Sequence, residues 1–217
     1  IYINNNRTNK LTKETGYRQN FELSKDKSQL VYQYSYFNEP FEVYSLDLSD
    51  QSKEKRLTHT IPDHFNKIDW QKEDYIRFTA RDGETKLSMS VLEPINKTEN
   101  SEHPVVTFVH GAGSLQNVYK GWSNNYYREY MFHQYLTARG YYVIEVDYRH
   151  STGYGREFRE DVTNWMGKYE TRDIIDGIDY LAEHYSQADT SRVGIYGGSY
   201  GGFMALYATS VAPGYFD

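Results

Sequence analysis

One serine set among glycines carries the strongest chemical signal in the sequence. Gly197, Ser199 and Gly201 form a Gly-x-Ser-x-Gly motif between the apolar stretch RVGIY and the apolar helical pattern FMALYA. This spacing suits a serine on a very tight strand-to-helix turn, since side chains two residues to either side would collide there. A helix that begins at the serine brings backbone N–H groups and its positive dipole end near a developing oxyanion. We predict that Ser199 is a nucleophile and that Gly197 and Gly201 permit its turn; the alternative is a glycine-rich turn with an incidental serine.

A second small-residue loop, His110-Gly111-Ala112-Gly113, follows the apolar run at residues 105–109. In α/β-hydrolases such a loop donates an oxyanion N–H, and its small residues let the backbone approach the substrate. The rival interpretation is a dinucleotide-binding fingerprint, but Gln116 stands where the third glycine belongs and no helix is evident after it. The sequence favours an oxyanion loop, which His110 holds in place rather than serving as a base.

The positions of the histidines limit what this chain does alone. In an α/β-hydrolase the triad runs serine, acid, histidine along the chain, yet every histidine here precedes Ser199. We therefore expect the acid and the base to lie beyond Asp217, and the chain by itself to be inactive. No histidine pair has the spacing of a metal site, so the sequence predicts no metal and no other cofactor. The seven are His59, His64, His103, His110, His133, His150 and His184.

Alternating strands and helices position these motifs in the second part of the chain. Buried apolar runs predict strands, and apolar residues at helical spacing predict helices between them. Such alternation implies a mostly parallel sheet with right-handed crossovers, an α/β class. Ahead of it, Asp82-Gly83 predicts a hairpin. The predicted strands are 75–80, 86–93, 105–109, 142–146 and 193–196, and the predicted helices are 127–138, 170–184 and 200–209.

The first 72 residues differ in pattern from the rest. Residues 29–36 and 42–48 alternate with period two and are rich in Val, Leu and Tyr, which predicts half-buried strands. Asn38-Glu39-Pro40 supplies a turn between them. The segment is consistent with a propeller blade or with any antiparallel sheet.

Composition excludes several classes of protein. Twenty-four Lys and Arg against 30 Asp and Glu give a net charge of −6, which disfavours a nucleic-acid partner because phosphate binding relies on clustered positive charge. No stretch of 18 consecutive apolar residues is present, so no membrane segment is predicted. The chain has no cysteine, which removes disulfides and a cysteine nucleophile and leaves the compartment open.

The two ends lead us to expect a fragment. Ile1 stands where an initiator methionine or a targeting signal would be, and residues 213–217 follow a helical pattern without closing an element.

At this point the motifs resemble the prolyl oligopeptidase family of serine peptidases, the group with dipeptidyl peptidase IV and acylaminoacyl peptidases. The resemblance lies in GGSYGG at 197–202, Val109-His110-Gly111, DYRHSTGYG at 147–155 and Trp165-Met166-Gly167 followed by Asp173 and Asp176. Ser24-Lys25-Asp26-Lys27 is similar to the Ser-Pro-Asp-Gly turn of the family's β-propeller blades. The resemblance implies an α/β-hydrolase fold preceded by propeller strands: residues 1–72 end a β-propeller, and residues 73–217 begin a catalytic domain.

The resemblance also implies roles for individual residues. Ser199 is the acylated nucleophile, the backbone N–H of Tyr200 is one oxyanion donor, and Gly111 or Ala112 in the loop supplies the second. The family has a glycine where His150 stands, and dipeptidyl peptidase IV has a tryptophan where Gly198 stands. The segments around Tyr154 and Trp165 are interpreted as scaffold.

The activity implied is that of a serine peptidase acting on short peptides through an acyl-enzyme. An esterase is the alternative within enzymes, since the serine turn does not choose between amide and ester. A non-catalytic, hydrolase-like binding module is the alternative outside them, although such a protein need not keep the strained turn. A peptide is the expected partner, and homo-oligomers are compatible with the sequence.

Overall fold

The computed structural model describes residues 2–4, 7–50, 53–111 and 115–217. It divides into two compact units. The first unit comprises Ile1–Trp70 together with Lys120–Tyr127, and the second comprises Gln71–Tyr119 together with Arg128–Asp217.

The first unit is built on antiparallel strands. Its main sheet has four strands in sequence order, β3-β4-β5-β6, and a separate two-stranded ribbon pairs β1 with β2. Tyr32 and Leu46 share one face of this sheet and are both buried. The strands predicted at 29–36 and 42–48 are thus present. The bounds are β1 Tyr2–Asn4, β2 Arg7–Asn9, β3 Tyr17–Leu23, β4 Gln29–Tyr36, β5 Glu39–Asp47 and β6 Glu54–Arg56, with a 3-10 turn at Phe65–Lys67.

The turn between β3 and β4 is organised by one carboxylate. Asp26 Oδ1 accepts hydrogen bonds from the hydroxyl of Ser24 at 2.6 Å and from the N–H of Ser28 at 3.1 Å. Lys27 follows with φ +59°, the left-handed region that favours glycine. Lys27 occupies the position at which the similar blade turn has glycine, so here a residue with a side chain adopts a backbone conformation that favours glycine.

The second unit carries a five-stranded sheet flanked by helices, in the order β11-β9-β10-β8-β7. The bounds of its strands are β7 Asp74–Thr79, β8 Lys86–Leu92, β9 His103–Val109, β10 Tyr142–Asp147 and β11 Ala188–Gly197. The bounds of its helices are α1 Tyr127–Ala138, α2 Arg156–Glu160, α3 Lys168–His184 and α4 Tyr200–Val211. Each predicted strand and helix of this part is present, and α2 is one that the sequence analysis did not predict.

The sheet is mixed rather than mostly parallel. β10 and β11 both pair with β9 in parallel, whereas β8 runs antiparallel to β10 and to β7. The hairpin that Asp82-Gly83 predicted accounts for this difference, because two strands joined by a tight turn cannot be parallel. Apolar side chains of the sheet pack with those of α3 and α4 into one core, which includes Leu87, Met89, Ile144, Ile174, Ile178, Leu181 and Met204.

A buried ion pair joins α3 to the end of β10. The guanidinium of Arg149 donates to Asp173 from Nη2 at 2.6 Å and from Nε at 3.0 and 3.1 Å, and the Arg149 N–H donates to the same carboxylate at 2.8 Å. The Asp173 side chain has no solvent exposure. Arg149 Nη1 also reaches Asp82 at 3.0 Å and Asp161 at 3.4 Å. One arginine therefore fixes the first turns of α3, the hairpin and the segment after α2.

We predict that Asp173→Ala lowers the free energy of unfolding by about 3–5 kcal/mol, because it leaves the Arg149 charge buried without its main partner. Glu160→Gln is the control: it breaks the exposed Arg156–Glu160 pair and costs about 0.5 kcal/mol or less. Denaturant unfolding of both variants measures the difference, and equal losses would contradict this role.

Candidate active site

The turn between β11 and α4 holds Ser199 in a strained backbone conformation. Ser199 has φ +54° and ψ −119°, a region that residues with a side chain rarely adopt. Gly197, the last residue of β11, pairs with Val109 at the end of β9. The N–H of Gly201 donates to the Gly198 carbonyl at 2.8 Å, and that of Gly202 donates to the Ser199 carbonyl at 2.9 Å, so α4 begins directly after the serine.

Two glycines permit this turn for a steric reason. A Cβ on Gly201 would lie 1.9 Å from the carbonyl oxygen of Val109, and a Cβ on Gly197 would lie 2.3 Å from the same oxygen. Backbone atoms cannot move away as a flexible side chain can. The spacing Gly-x-Ser-x-Gly thus reflects close packing of three backbone segments: the end of β9, the end of β11 and the start of α4.

We predict that Gly201→Ala destabilises the protein by several kcal/mol, about the upper range for single substitutions, because its methyl group meets the Val109 carbonyl. Gly202→Ala is the matched control, since its Cβ would lie 3.4 Å from the Gly197 carbonyl oxygen, and alanine is about 1 kcal/mol better than glycine inside a helix. Thermal unfolding distinguishes them; a Gly201→Ala variant as stable as Gly202→Ala would contradict the packing argument.

Ser199 is solvent-exposed. Its hydroxyl makes no hydrogen bond within the described part of the chain. The N–H of Tyr200, the first of α4, has no acceptor there either, as expected for the first residues of a helix. These are the properties required of a nucleophile and an oxyanion donor, although no histidine in the described ranges hydrogen-bonds the serine.

The His150 ring lies beside the residue that follows Ser199. Its ring centroid is 5.9 Å from that of Tyr200, and its Nδ1 lies 3.1 Å from the Arg159 carbonyl oxygen. His150 has φ +101°, which explains why a glycine is usual at this position in the similar family. The substitution places a side chain beside Tyr200 at the cost of backbone strain.

The loop after β9 begins beside the serine turn and is held by His110. Nδ1 of His110 lies 2.6 Å from the Gly111 carbonyl oxygen, and Nε2 lies 2.8 Å from the Ser151 hydroxyl. The Tyr148 hydroxyl donates to the His110 carbonyl at 2.7 Å, and the two rings stack with centroids 4.4 Å apart. His110 therefore anchors the loop, as predicted. Gly111 is buried at its start, while Ala112 and Gly113 lie outside the described residues.

Asp147, at the end of β10, holds the far end of the same loop. Its carboxylate accepts hydrogen bonds from the N–H of Asn117 at 2.8 Å, from the N–H of Val118 at 3.1 Å and from the Tyr154 hydroxyl at 2.6 Å. The N–H of Thr152 donates to the Leu115 carbonyl at 3.0 Å. Residues 147–155 (DYRHSTGYG) thus hydrogen-bond both ends of the loop. The sequence predicted only a structural role for the part of this segment around Tyr154.

Burial keeps His110 uncharged at neutral pH. It lowers the pKa of His110 to about 4, against a weaker opposing effect of the Gly111 carbonyl. Burial likewise raises the pKa of Asp147 to about 6, opposed by its hydrogen bonds from Tyr154, Asn117 and Val118. Nε2 of His110 lies 3.6 Å from Asp147 Oδ1, yet at neutral pH His110 is uncharged, so the two do not form an ion pair.

We predict that the His110 ring stays neutral down to about pH 5, since its folded pKa of about 4 lies below the usual value of about 6.5. The unfolded chain binds this proton more readily, so His110 lowers the stability of the fold as pH falls from about 6.5 to about 4. An NMR titration of the ring measures the midpoint directly. A midpoint at or above 6 would contradict the prediction that burial lowers the pKa of this ring.

Sequence reasoning missed one neighbour of the site. The Tyr200 hydroxyl donates to Oε1 of Glu170 at 2.5 Å, and Glu170 is fully buried in the first turn of α3. The pairing joins residues 30 apart in sequence, and neither residue type signals it. In contrast, Trp165 and Met166, which carry part of the family resemblance, are 56% and 58% exposed.

The geometry of the loop gives no support to a dinucleotide site. Residues 115–126 contain no helix, whereas that motif needs a helix N-terminus to bind the pyrophosphate. Within the described ranges, no three His, Asp or Glu side chains cluster as metal ligands would. The helices described there are also too short or too polar to cross a membrane.

Comparison with known proteins agrees with this arrangement. Residues 128–217 match the model of the prolyl oligopeptidase family. The chain is 29% identical to human dipeptidyl peptidase 8 over 215 residues, which covers 95% of this chain and 23% of that protein. It is 28% identical to the uncharacterized peptidase YuxL of Bacillus subtilis over 191 residues, covering 88% of this chain and 27% of that protein. The chain thus spans about a quarter of the length of these relatives.

Solved structures show the same likeness. An acylaminoacyl peptidase of Pyrococcus horikoshii superposes with a TM-score of 0.77 at 27% identity, covering 94% of this chain and 30% of that one. Dipeptidyl peptidase 4 of Porphyromonas gingivalis has a TM-score of 0.81 at 22% identity, covering 97% and 29%, and supports the fold alone.

The fold is that of an α/β-hydrolase preceded by β-propeller strands, as the sequence predicted. The chain is related to the prolyl oligopeptidase family, and the resemblance drawn from its motifs is confirmed.

Proposed function

We propose that this chain contributes the nucleophile and the oxyanion site of a serine peptidase that cleaves short peptides. The observation that carries the proposal is Ser199 itself: exposed, without a hydrogen bond among the described residues, and held at φ +54° at the start of α4. A strained serine with a free hydroxyl has no structural use that an alanine or glycine would not serve better.

The geometry supports acyl transfer in two steps. The Ser199 hydroxyl attacks the peptide carbonyl carbon and gives its proton to a base, and the carbonyl oxygen takes the negative charge. The N–H of Tyr200, with that of Gly111 or Ala112, stabilises this charge. Collapse expels the amine with a proton, and water then releases the acyl group from Ser199 by the reverse sequence.

The base and its acid are not assigned within this chain. All seven histidines precede Ser199, and in the α/β-hydrolase order the acid and histidine follow the serine. We propose that they follow Asp217 in the intact protein, so that residues 1–217 alone do not suffice for turnover.

The division of the chain is part of the same proposal: residues 1–72 as the C-terminal part of a β-propeller, and residues 73–217 as the N-terminal part of the catalytic domain. The four-stranded antiparallel sheet β3–β6 has the make-up of a propeller blade. A peptide as substrate is supported by a similar acylaminoacyl peptidase, 27% identical, whose structure holds a peptide chloromethyl ketone.

We predict that a fluorophosphonate probe labels the intact protein at Ser199 alone, because the turn exposes one hydroxyl that the base activates. Peptide mapping by mass spectrometry locates the label. Labelling of Ser199→Ala at the wild-type rate, or a label on another serine, would refute the assignment.

We also predict that Gly111→Val lowers kcat by about tenfold to a thousandfold, because a branched side chain displaces the donor N–H of the loop. Gly111→Ala is the graded companion, and a smaller loss is expected from its smaller side chain. Circular dichroism and thermal unfolding check that both variants fold. Wild-type turnover in folded Gly111→Val would remove this loop from the mechanism.

A further inference from the structure

A fully buried glutamate faces the residue that follows the nucleophile. Glu170 has no solvent exposure, and its Oε1 accepts the hydrogen bond from the Tyr200 hydroxyl at 2.5 Å. Its Oε2 is buried and has no hydrogen-bond partner among the described residues. Among the described residues, the Glu170 carboxyl is therefore hydrogen-bonded to the Tyr200 hydroxyl alone.

Such a side chain is costly for the fold. Glutamate is almost never fully buried unless it is paired, and a buried carboxyl oxygen without a partner loses its hydration without compensation. An apolar side chain in the first turn of α3 would fill the same space at a lower cost. The benefit of Glu170 must therefore lie in what it does to Tyr200.

The helix turn that carries Glu170 is itself firmly held. Thr171 donates its hydroxyl to the Gly167 carbonyl at 2.6 Å, and Asp173 is locked to Arg149. Gly167, which precedes α3, has φ +92°, and a Cβ there would lie 2.9 Å from the Tyr207 ring of α4. Tyr200 is thus tied to a rigid platform.

The backbone before Tyr200 is strained. The carbonyls of Gly198 and Ser199 accept the N–H groups of Gly201 and Gly202, yet Ser199 is held at φ +54°, a conformation that must be stabilised by its surroundings. A tether on the Tyr200 side chain adds to the contacts that keep this turn, and with it the Tyr200 N–H, in place. Burial and the hydrogen bond to Glu170 both raise the pKa of the Tyr200 hydroxyl, so it stays a neutral donor over the working pH range. The hydroxyl can therefore act as a permanent tether.

We propose that Glu170 is a positioning residue: through its hydrogen bond to the Tyr200 hydroxyl it orients the Tyr200 backbone N–H towards the oxyanion formed at Ser199. This inference rests on the proposed function and adds a residue to it. Glu170 touches neither substrate nor serine, and it acts only through Tyr200.

The test compares four variants of the intact protein: Glu170→Leu, Tyr200→Phe, the double variant, and Glu170→Gln, which keeps a hydrogen-bond acceptor. Tyr142→Phe is the control, because it removes the hydrogen bond from another buried tyrosine to a carboxylate, the partly exposed Glu93, at 3.1 Å, at the start of β10 and away from the serine turn. For each protein, kcat and KM for a chromogenic dipeptide amide are measured, together with amide hydrogen exchange of residues 198–203.

Glu170→Leu and Tyr200→Phe are each expected to lower kcat about tenfold to a hundredfold with KM within about twofold, the pattern of a misplaced catalytic group. The double variant loses no more than either single one, since both remove the same bond. Glu170→Gln stays within about threefold of wild type. Exchange at residues 198–203 is faster in Glu170→Leu and Tyr200→Phe only. If Glu170→Leu fails to fold, Tyr200→Phe against Tyr142→Phe makes the same comparison.

Additive losses in the double variant, or an equal loss in Tyr142→Phe, would overturn the inference. A wild-type protein with no turnover and no probe label would instead refute the proposed function. In that case the exchange data still decide: unchanged exchange at residues 198–203 in the folded variants would show that Glu170 does not order this turn.

Discussion

The rest of the site depends on one close contact between backbones, that of Gly201 with the Val109 carbonyl, where a Cβ would lie 1.9 Å from the oxygen. This contact presses the start of α4 against the end of β9. The chain can then leave β11 only through a sharp turn, and Ser199 takes the strained conformation at its apex. Because His110 follows Val109 directly, the same contact sets the start of the loop after β9 beside the serine. Ser199 and the loop after β9 are thus positioned by a single packing constraint.

The segment after β10 supports this arrangement from two sides. Asp147 and Tyr154 hold the far end of the loop through the N–H groups of Asn117 and Val118. Arg149, two residues on, locks Asp173 and with it the first turns of α3. That helix carries Glu170, which reaches Tyr200. The loop and the serine turn are therefore braced through one stretch of nine residues, a physical reason for its motif-like composition.

A feature could be predicted from the sequence when the residues that determine it are neighbours along the chain. The bounds of α1 were predicted to the residue, and the serine turn was predicted from glycine spacing, because both depend on neighbours in the chain. The mixed sheet could have been anticipated from the Asp82-Gly83 hairpin, whose strands join the same sheet. α2, five residues long, is too short for a periodic pattern.

Residues whose partners are distant in sequence could not be assigned. The pairing of Glu170 with Tyr200 and that of Asp147 with Asn117 arise only when α3, α4 and β10 come together. The argument from Gln116 against a dinucleotide fingerprint rests on a local property, the absence of a glycine. The roles of Tyr200 and Gly111 as donors came from family resemblance, and the geometry is compatible with them.

The most direct test of the account is a crystal structure of the intact protein with a peptide boronic acid, which mimics the tetrahedral intermediate of acyl transfer. The account predicts a covalent bond from Ser199 Oγ to boron, with one boronate oxygen about 2.7–3.1 Å from the backbone nitrogen of Tyr200 and a second donor from the loop after β9. A boronate bound to another residue, or bound to Ser199 with no oxygen near the Tyr200 N–H, would contradict it.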